Sequence, residues 1–461
     1  MAPLERRRYL RKTSLAEALD LALGLVAGPV PAETVATDEA LGRVTAEAVF
    51  ARRSSPHYHG AAMDGIAVRA EDTFGASESR PLELRSAPVG APAPPGAFVP
   101  VDTGNPLPPW ANAVVMIERV YPGAGTGAGT GTGTPEAVAI REAASPWQHV
   151  RLVGEDVVAT EALLPRGHRL RPYDVGALLA AGVTDVPVRR RPVVAVIPTG
   201  TELVDPRAEP APGQIIEYNS RVMAGFLAEW GATVDRRPPV ADRQDALCEA
   251  IRSAATGADV VAVIAGSSAG AHDFTAGAVE ALGQVLVHGI EIMPGKPAIV
   301  GRAGATPVLG IPGYPVSAVI VCQQILRPLV ARLLATRPDE PATVRALVPR
   351  HIPSRLGLEE FVRVSLGEVD GRMVLNPLGR GAGAITTMVR ADGFLRIPAN
   401  SEGVSAGEEA TIELLRSLAQ VRDTILFTGS HDLSVGLLED VLKAAWPALK
   451  ISTSKDRKSV V

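Results

Sequence analysis

Residues Pro192–Val204 read "PVVAVIPTGTELV", an apolar run rich in β-branched residues that passes directly into a Gly-containing turn. The same order recurs in "ADVVAVIAGSSAG" (Ala258–Gly270) and "PVLGIPGYPVSA" (Pro307–Ala318). Between them lie helical patterns. "SRVMAGFLAEWG" offers Val222, Met223, Phe226, Leu227 and Trp230 for packing, with Gly231 as its stop. A second helix is expected from about Val316 to Leu334, broken or kinked at Pro328. Strands alternating with helices from Arg191 to Ala335 predict a parallel α/β sheet, whose ligand site lies beyond the carboxyl ends of its strands. All three Gly-rich turns belong to that edge.

Working outward, Ser14 and Glu17 form a capping-box pair ahead of a helix with Leu15, Ala18, Leu19, Ala22 and Val26 on one face. From Ser54 to Ala143, short apolar runs alternate with Pro/Gly-rich turns, as in a small β domain. Its "GAGTGAGTGTGT" (123–134) reads as a flexible low-complexity loop. After Arg337, "FVRVSLGEV", "MVLNPL", "GFLRIPA" and "EATIELL" predict a compact all-β module. The last stretch, Asp423–Ser454, reads strand, turn, amphipathic helix, strand. One such unit cannot bury both its faces, so it is expected to be weakly packed or the start of a further domain.

Composition sets bounds on function. A chain of 461 residues suggests about three domains, and 46% hydrophobic with 21% charged residues is globular. A net charge of −4 argues against a nucleic-acid partner. Two distant cysteines, Cys248 and Cys322, suit a reducing compartment and inert core positions. No apolar run is read as reaching the ~18 residues of a membrane helix, and the start "MAPLERRRYLRK" lacks a secretory apolar segment. The expectation is a cytoplasmic protein without membrane or nucleic-acid partners.

Chemistry concentrates at the turns. Thr199, Gly200, Thr201 and Glu202 follow the first run, Ser267, Ser268, Gly270 and Asp273 the second, and Gly313 and Ser317 the third. Small residues let backbone N–H groups approach phosphate oxygens, and a helix start adds a favourable dipole. Glu202 and Asp273 would suit Mg²⁺, a hard ion that takes carboxylate, water and phosphate oxygens. In "EIMPGKPAIVG" (Glu291–Gly301), Lys296 stands between Gly295 and Pro297, which bias it toward an extended backbone. It reads either as a surface turn or as a cation held for an anion. Asp64 in "AAMDGIAV" reads from spacing as an Asp-Gly turn, and "VRLVGEDVV" as a turn with local ion pairing. Walker A, GxGxxG, GxSxG and HExxH signatures are missing from the sequence.

Taken in order, "AAMDGIAV", "DTGNPLP", "VRLVGEDV", "PTGTEL", "GQIIEYNS", "GSSAGAHDF", "PGKPAIVG", "GIPGYPVSA" and "EEFVRV" resemble the molybdopterin molybdenumtransferases, the MoeA proteins and the gephyrin E domain. The resemblance implies an α/β and β multidomain chain. Its parts would be a split N-terminal segment (1–50 and 150–188), an inserted β domain (51–149), a MogA-like parallel α/β molybdopterin-binding domain (189–336) and a C-terminal β barrel (337–418). Residues 419–461 resemble the start of a periplasmic-binding-protein-like domain, with Ser430 at a helix start.

The implied reaction is the last step of molybdenum cofactor synthesis. Molybdenum passes from molybdate into adenylylated molybdopterin, with Mg²⁺-dependent release of AMP. A homodimer with a shared cleft is implied, with an upstream molybdopterin adenylyltransferase as a further partner. By matched position, Glu202 and Asp242 are the metal-associated acids, and Asp64, Asp156 and Asp273 are cleft acids with Thr103 nearby. Lys296 is the phosphate or molybdate cation, and Arg363 stands on the barrel side. The chain departs from the family pattern at Met293 (commonly Lys), Tyr314 (Asn), Ala265 with Gly266 (Gly-Gly) and Ala271 (an acid). These departures leave a second reading, a catalytically weak pterin- or oxyanion-sensing scaffold, and leave molybdate against tungstate open.

Overall fold

The computed structural model describes residues 13–88, 92–123, 135–265, 274–429 and 434–455. It divides into two compact units, Ala32–Arg189 and the remainder, Met1–Pro31 with Arg190–Val461.

In the unit Ala32–Arg189, six strands form one sheet in the order Ala113–Met116, Gly65–Val68, Ala97–Val101, Leu82–Ser86, Ala137–Ile140, Val120–Pro122. Alternate residues Ile66, Val68, Leu84, Phe98, Val138 and Ile140 share one core, the two-residue side-chain period of a sheet, and Ala67, Val99, Val101 and Val114 are buried on its other face. Gly65 is required where it stands, because a Cβ there would lie 2.0 Å from the Val115 carbonyl oxygen. Shorter ribbons, Ala32–Ala36 with Asp185–Arg189 and Val49–Phe50 with Ala162–Leu164, bring the ends of the unit together.

The other unit holds the α/β sheet that the opening stretch predicts. Its order is Thr233–Arg236, Val193–Pro198, Val260–Ala265, Thr306–Pro312, Ile299–Ala303, Gly283–His288. The first four are parallel. Ile299–Ala303 runs antiparallel to both its neighbours, so the sheet is mixed and not wholly parallel as expected. The cause is local: Ala303 faces Thr306 across a tight turn in which Gly304 has φ 57°, and a short hairpin joins only antiparallel neighbours.

The C-terminal strands close into a ring. Glu359–Val369 pairs with Arg372–Pro377 on one side and Gly393–Ile397 on the other, and Thr343–Leu347 and Glu409–Leu414 complete it. Val362, Val364, Leu366, Leu375, Leu395 and Ile412 fill its interior.

The helices mostly follow the pattern. Ser14 caps Leu15–Gly24 by accepting from the Glu17 N–H at 3.2 Å. Asn219–Glu229 buries Met223 and Leu227, and Gly231 follows at φ 88°. The break expected at Pro328 lies just before it, as a π turn over Cys322–Leu326 between Pro315–Val321 and Arg327–Leu333. A proline cannot donate to the carbonyl four residues back and its ring crowds that group, so the preceding turn widens. This run corrects the reading that no apolar stretch is long enough for a membrane: Pro315–Leu333 passes by length and composition, but 72% of its apolar window is buried inside the protein. Within it Cys322 is buried, and burial pushes its thiol up to about 12, an inert state.

The final unit is the expected strand–helix–strand, with Thr424–Gly429 parallel to Lys450–Lys455. Leu437, Leu438, Val441 and Trp446 are exposed, so the helix Ser434–Lys443 leaves its apolar face open. The unit is nevertheless anchored: Leu426 sits so close to Gly367 of the barrel that a Cβ there would collide with it at 2.4 Å.

Candidate active site

In the second unit, the strand Val193–Pro198 ends at the buried Thr199, whose N–H donates to the Ile264 carbonyl at 2.7 Å. The Gly200 N–H donates to the Val240 carbonyl at 3.1 Å. These bonds hold the turn between the neighbouring strand and the segment that carries Asp242. Gly200 has φ 145°, and a Cβ on it would lie 2.7 and 2.8 Å from the two carboxylate oxygens of Glu202. Only glycine lets that carboxylate fold back over the turn. Among the described residues neither Glu202 nor Asp242 has a hydrogen bond or ion pair on its carboxylate. The resemblance pairs Glu202 with Asp242, and a backbone bridge between Thr199 and Val240 sets the segments that precede them side by side.

From Glu202 the chain runs on to the third turn. Ile215–Ile216 lies alongside Leu203–Val204, and Asn219 donates from Nδ2 to the Gly313 carbonyl at 2.6 Å. The buried Glu217 caps this helix start, accepting from the N–H and Oγ of Ser220 and from Arg221. Ser317 is buried in the first turn of Pro315–Val321. The Val316 N–H already donates to the Ala382 carbonyl of the barrel at 3.0 Å, so this helix start offers fewer donors to a ligand than the sequence suggests. The second Gly-rich turn, with Ser267, Ser268, Gly270, Ala271 and Asp273, lies outside the described residues, as does Ser430.

Lys296 joins these turns through strand direction. It precedes Ile299–Ala303, which runs antiparallel to Thr306–Pro312 with Ile299 opposite Gly310. The entrance of one strand therefore lies at the edge where the other exits. Gly295 (φ 121°) keeps the approach tight, since a Cβ there would meet Ile292 Cδ1 at 2.8 Å and Val321 Cγ2 at 3.2 Å. Lys296 itself is exposed, and its carbonyl accepts from the Ile290 N–H at 2.8 Å.

The same segment reaches the barrel: Ile292 and Met293 pair with Glu359 and Glu360. A cavity of about 340 Å³ opens there, lined by Met293, Pro294, Ser354, Arg355, Glu360, Arg363 and Arg380 among others. Arg363 is only 2% exposed. Its Nη2 donates to the carbonyls of Gly379 and Gly381, while its Nε is buried without a partner among the described residues. Burial pushes its guanidinium down to about 10, Glu360 opposing and Arg380 adding to the shift; the cation persists at neutral pH. Glu360 is itself buried and is taken up by Arg380 at 3.2 Å and by the Ser354 hydroxyl at 2.7 Å. That leaves Arg355 and Arg363 as cations in a small recess, an arrangement that favours an oxyanion. Glu360, Arg380, Ser354 and Asn219 were missed in the sequence; the readable signal was two acids and an arginine among the apolar residues of "EEFVRVSL".

In the unit Ala32–Arg189, Asp64 and Thr103 do meet. Asp64 Oδ1 accepts from the Thr103 N–H at 2.6 Å and from its hydroxyl at 2.7 Å. Those two bonds, the backbone one first, hold its carboxyl below the usual carboxylate range. Asp156 is exposed and contacts Ser55 through its N–H at 3.0 Å. Pairing of Gly60–Ala61 with Val150–Arg151 brings the two acidic loops to one ribbon, without a bond between the carboxylates. Among the described residues no cluster of three or more His, Cys, Asp or Glu side chains is placed to hold a metal.

Comparison with known proteins gives three adjoining matches to family models: "MoeA N-terminal region (domain I and II)" over residues 13–182, "Probable molybdopterin binding domain" over 195–332, and "MoeA C-terminal region (domain IV)" over 345–415. The molybdopterin molybdenumtransferase 2 of Mycobacterium tuberculosis is 33% identical over 400 residues, covering 82% of this chain and 94% of that protein. The molybdopterin molybdenumtransferase of Bacillus subtilis is 27% identical over 393 residues, 83% and 90% of the two chains. The crystal structure of a MoeA molybdopterin biosynthesis protein of Pyrococcus horikoshii superposes with a TM-score of 0.75 at 32% identity, covering 88% of this chain and all of that one.

Proposed function

The chain belongs to the MoeA family of molybdopterin molybdenumtransferases, and on that premise we propose that it transfers molybdenum from molybdate into adenylylated molybdopterin with Mg²⁺-dependent release of AMP. The observation that supports this reading is that the Lys296 segment links the two parts of one unit, pairing at Ile292–Met293 with the strand that lines the Arg363 cavity and leading into a strand beside Thr306–Pro312.

A pyrophosphate linkage and an oxyanion are both multiply negative, so the protein's work is mainly positioning and charge neutralisation. The backbone at Thr199–Thr201 and Gly313 is small enough for phosphate oxygens to approach, and Lys296 meets them as a point charge. The Arg363 recess takes molybdate, the substrate oxyanion, and its orphaned Nε supplies a donor that is already desolvated. Glu202 and Asp242 would hold Mg²⁺, and their uncommitted carboxylates fit an ion that keeps several waters and uses one or two acids beside phosphate oxygens. Held by these two acids, Mg²⁺ would supply Lewis-acid charge to the linkage, which water cleaves to leave AMP and the phosphate of molybdopterin. Asp64, kept ionised by Thr103, and Asp156 are assigned as acceptor carboxylates. The homodimer and cytoplasmic setting implied by the resemblance are part of the proposal, and sedimentation of the purified chain tests the first.

Met293 replaces a cation in the wall of the oxyanion cavity, which favours, as a second reading, a sensing scaffold that binds without turnover. One assay separates the two. Purified protein is mixed with adenylylated molybdopterin, molybdate and Mg²⁺, and AMP is followed with time. AMP release above background supports the transferase; pterin binding without AMP supports the scaffold.

A further inference from the structure

A second polar cavity, of about 670 Å³, lies between the barrel and the C-terminal strand–helix–strand unit. Arg390 and Arg416 line it from the barrel side, and Lys443, Glu439 and Lys450 from the terminal unit. Val389, Val435, Pro447 and Leu449 form an apolar side. The charges do not balance. Asp392, fully buried behind the wall, is shared between Lys450 Nζ at 2.5 Å and Arg416 Nε at 3.8 Å, and its other oxygen accepts from the Leu366 N–H at 2.9 Å. Glu439 is taken by Lys443 at 2.9 Å. Arg390 has no acid partner among the described residues, although its carbonyl accepts from Lys450 Nζ at 3.1 Å. One acid thus serves two cations while another cation has none. Burial holds Lys450 below its ordinary range, Asp392 opposes this, and the nearby Arg416 charge adds to it.

The first turn of the helix Ser434–Lys443 also reaches the cavity, through Val435 and Gly436. A Cβ on Gly436 would meet nothing within 4 Å, so the recess is open at that point. The unit also touches the barrel through the Leu426 contact with Gly367 and the Lys450–Asp392 pair. Surplus positive charge contributed from both sides of this junction favours a ligand that supplies the missing negative charge to both.

We infer that this cavity is a second anion site, taking a small multivalent anion with phosphate or carboxylate groups, whose binding clamps the C-terminal unit onto the barrel. The site is separate from the Arg363 recess and shares none of its lining residues.

Hydrogen exchange of the full chain tests it, with pyrophosphate and citrate as probes and sodium chloride at matched ionic strength as the control. Exchange in Ser434–Lys443 and Lys450–Lys455 is expected to slow about tenfold when a probe is present at ten times its dissociation constant. The Arg390→Gln/Lys443→Gln double variant, altered at the rim and not in the core, is expected to lose this slowing. Slowing by pyrophosphate alone assigns phosphate chemistry, and by citrate alone carboxylate chemistry. No slowing with either probe, equal slowing with sodium chloride, or slowing that survives in the double variant overturns the inference.

Discussion

Replacing Arg363 by alanine should weaken oxyanion binding far more than it weakens the fold. The side chain is buried, contacts two loop carbonyls through Nη2, and leaves Nε without a partner. A hydrogen bond to a charged group contributes about 1.5–3 kcal/mol, which is roughly 10- to 150-fold in a dissociation constant. On the stability side, the Gly379 and Gly381 carbonyls each lose a bond of about 1 kcal/mol, partly offset because the desolvated Nε disappears. Glu360 keeps Arg380 and Ser354 and is not stranded. Isothermal titration with molybdate, paired with thermal melting, separates the two effects. Arg363→Lys keeps the charge but not the planar fork, so its affinity should fall between wild type and alanine. Wild-type molybdate affinity in a folded Arg363→Ala protein would refute the reasoning.

Lys296→Ala should lower the rate of AMP release by about 3 kcal/mol of transition-state stabilisation, near 150-fold, with little change in melting temperature; an unchanged rate would remove its assignment. Glu202→Gln should raise the Mg²⁺ concentration needed for half-maximal AMP release, and an identical titration curve would show that the ion sits elsewhere. Gly200→Ala should mimic that defect without touching an acid, because its Cβ would displace the Glu202 carboxylate and φ 145° is strained for alanine; wild-type Mg²⁺ dependence would count against the folded-back carboxylate. Asp174 is held well below the usual carboxylate range, chiefly by Arg171 with help from His168, and accepts from the Arg171 N–H at the start of Pro172–Ala180. Because its folded pKa is depressed, its contribution is present above the usual carboxylate range and is lost as pH falls through the folded value. Asp174→Ala should therefore cost about 1 kcal/mol at neutral pH, and the gap from wild type, read by urea unfolding, should shrink on acidification; a gap independent of pH would contradict the cause.

The turns proposed to carry the chemistry were legible because each follows an apolar run that can only be a buried strand, as at Val193–Pro198 and Thr306–Pro312. Strand direction was not. Hydrophobic pattern is blind to it, so the hairpin at Gly304 and the reversed strand Ile299–Ala303 emerged only in three dimensions. That reversal is what brings Lys296, which stands before its strand, beside turns that stand after theirs. The arginine of "EEFVRV" was found by resemblance, but its cavity depends on Gly379–Gly381, distant in sequence and unremarkable in composition. Pro328 marked a break correctly but not its position, because a proline perturbs the turn before it.

Anomalous diffraction at the molybdenum absorption edge, from crystals of the full chain soaked in molybdate, asks most directly whether the barrel recess is the oxyanion site. A molybdenum peak within hydrogen-bond reach of Arg363, and absent from Arg363→Ala crystals, is the expected result. A peak elsewhere with that recess empty, or one that persists there in the variant, would contradict the account.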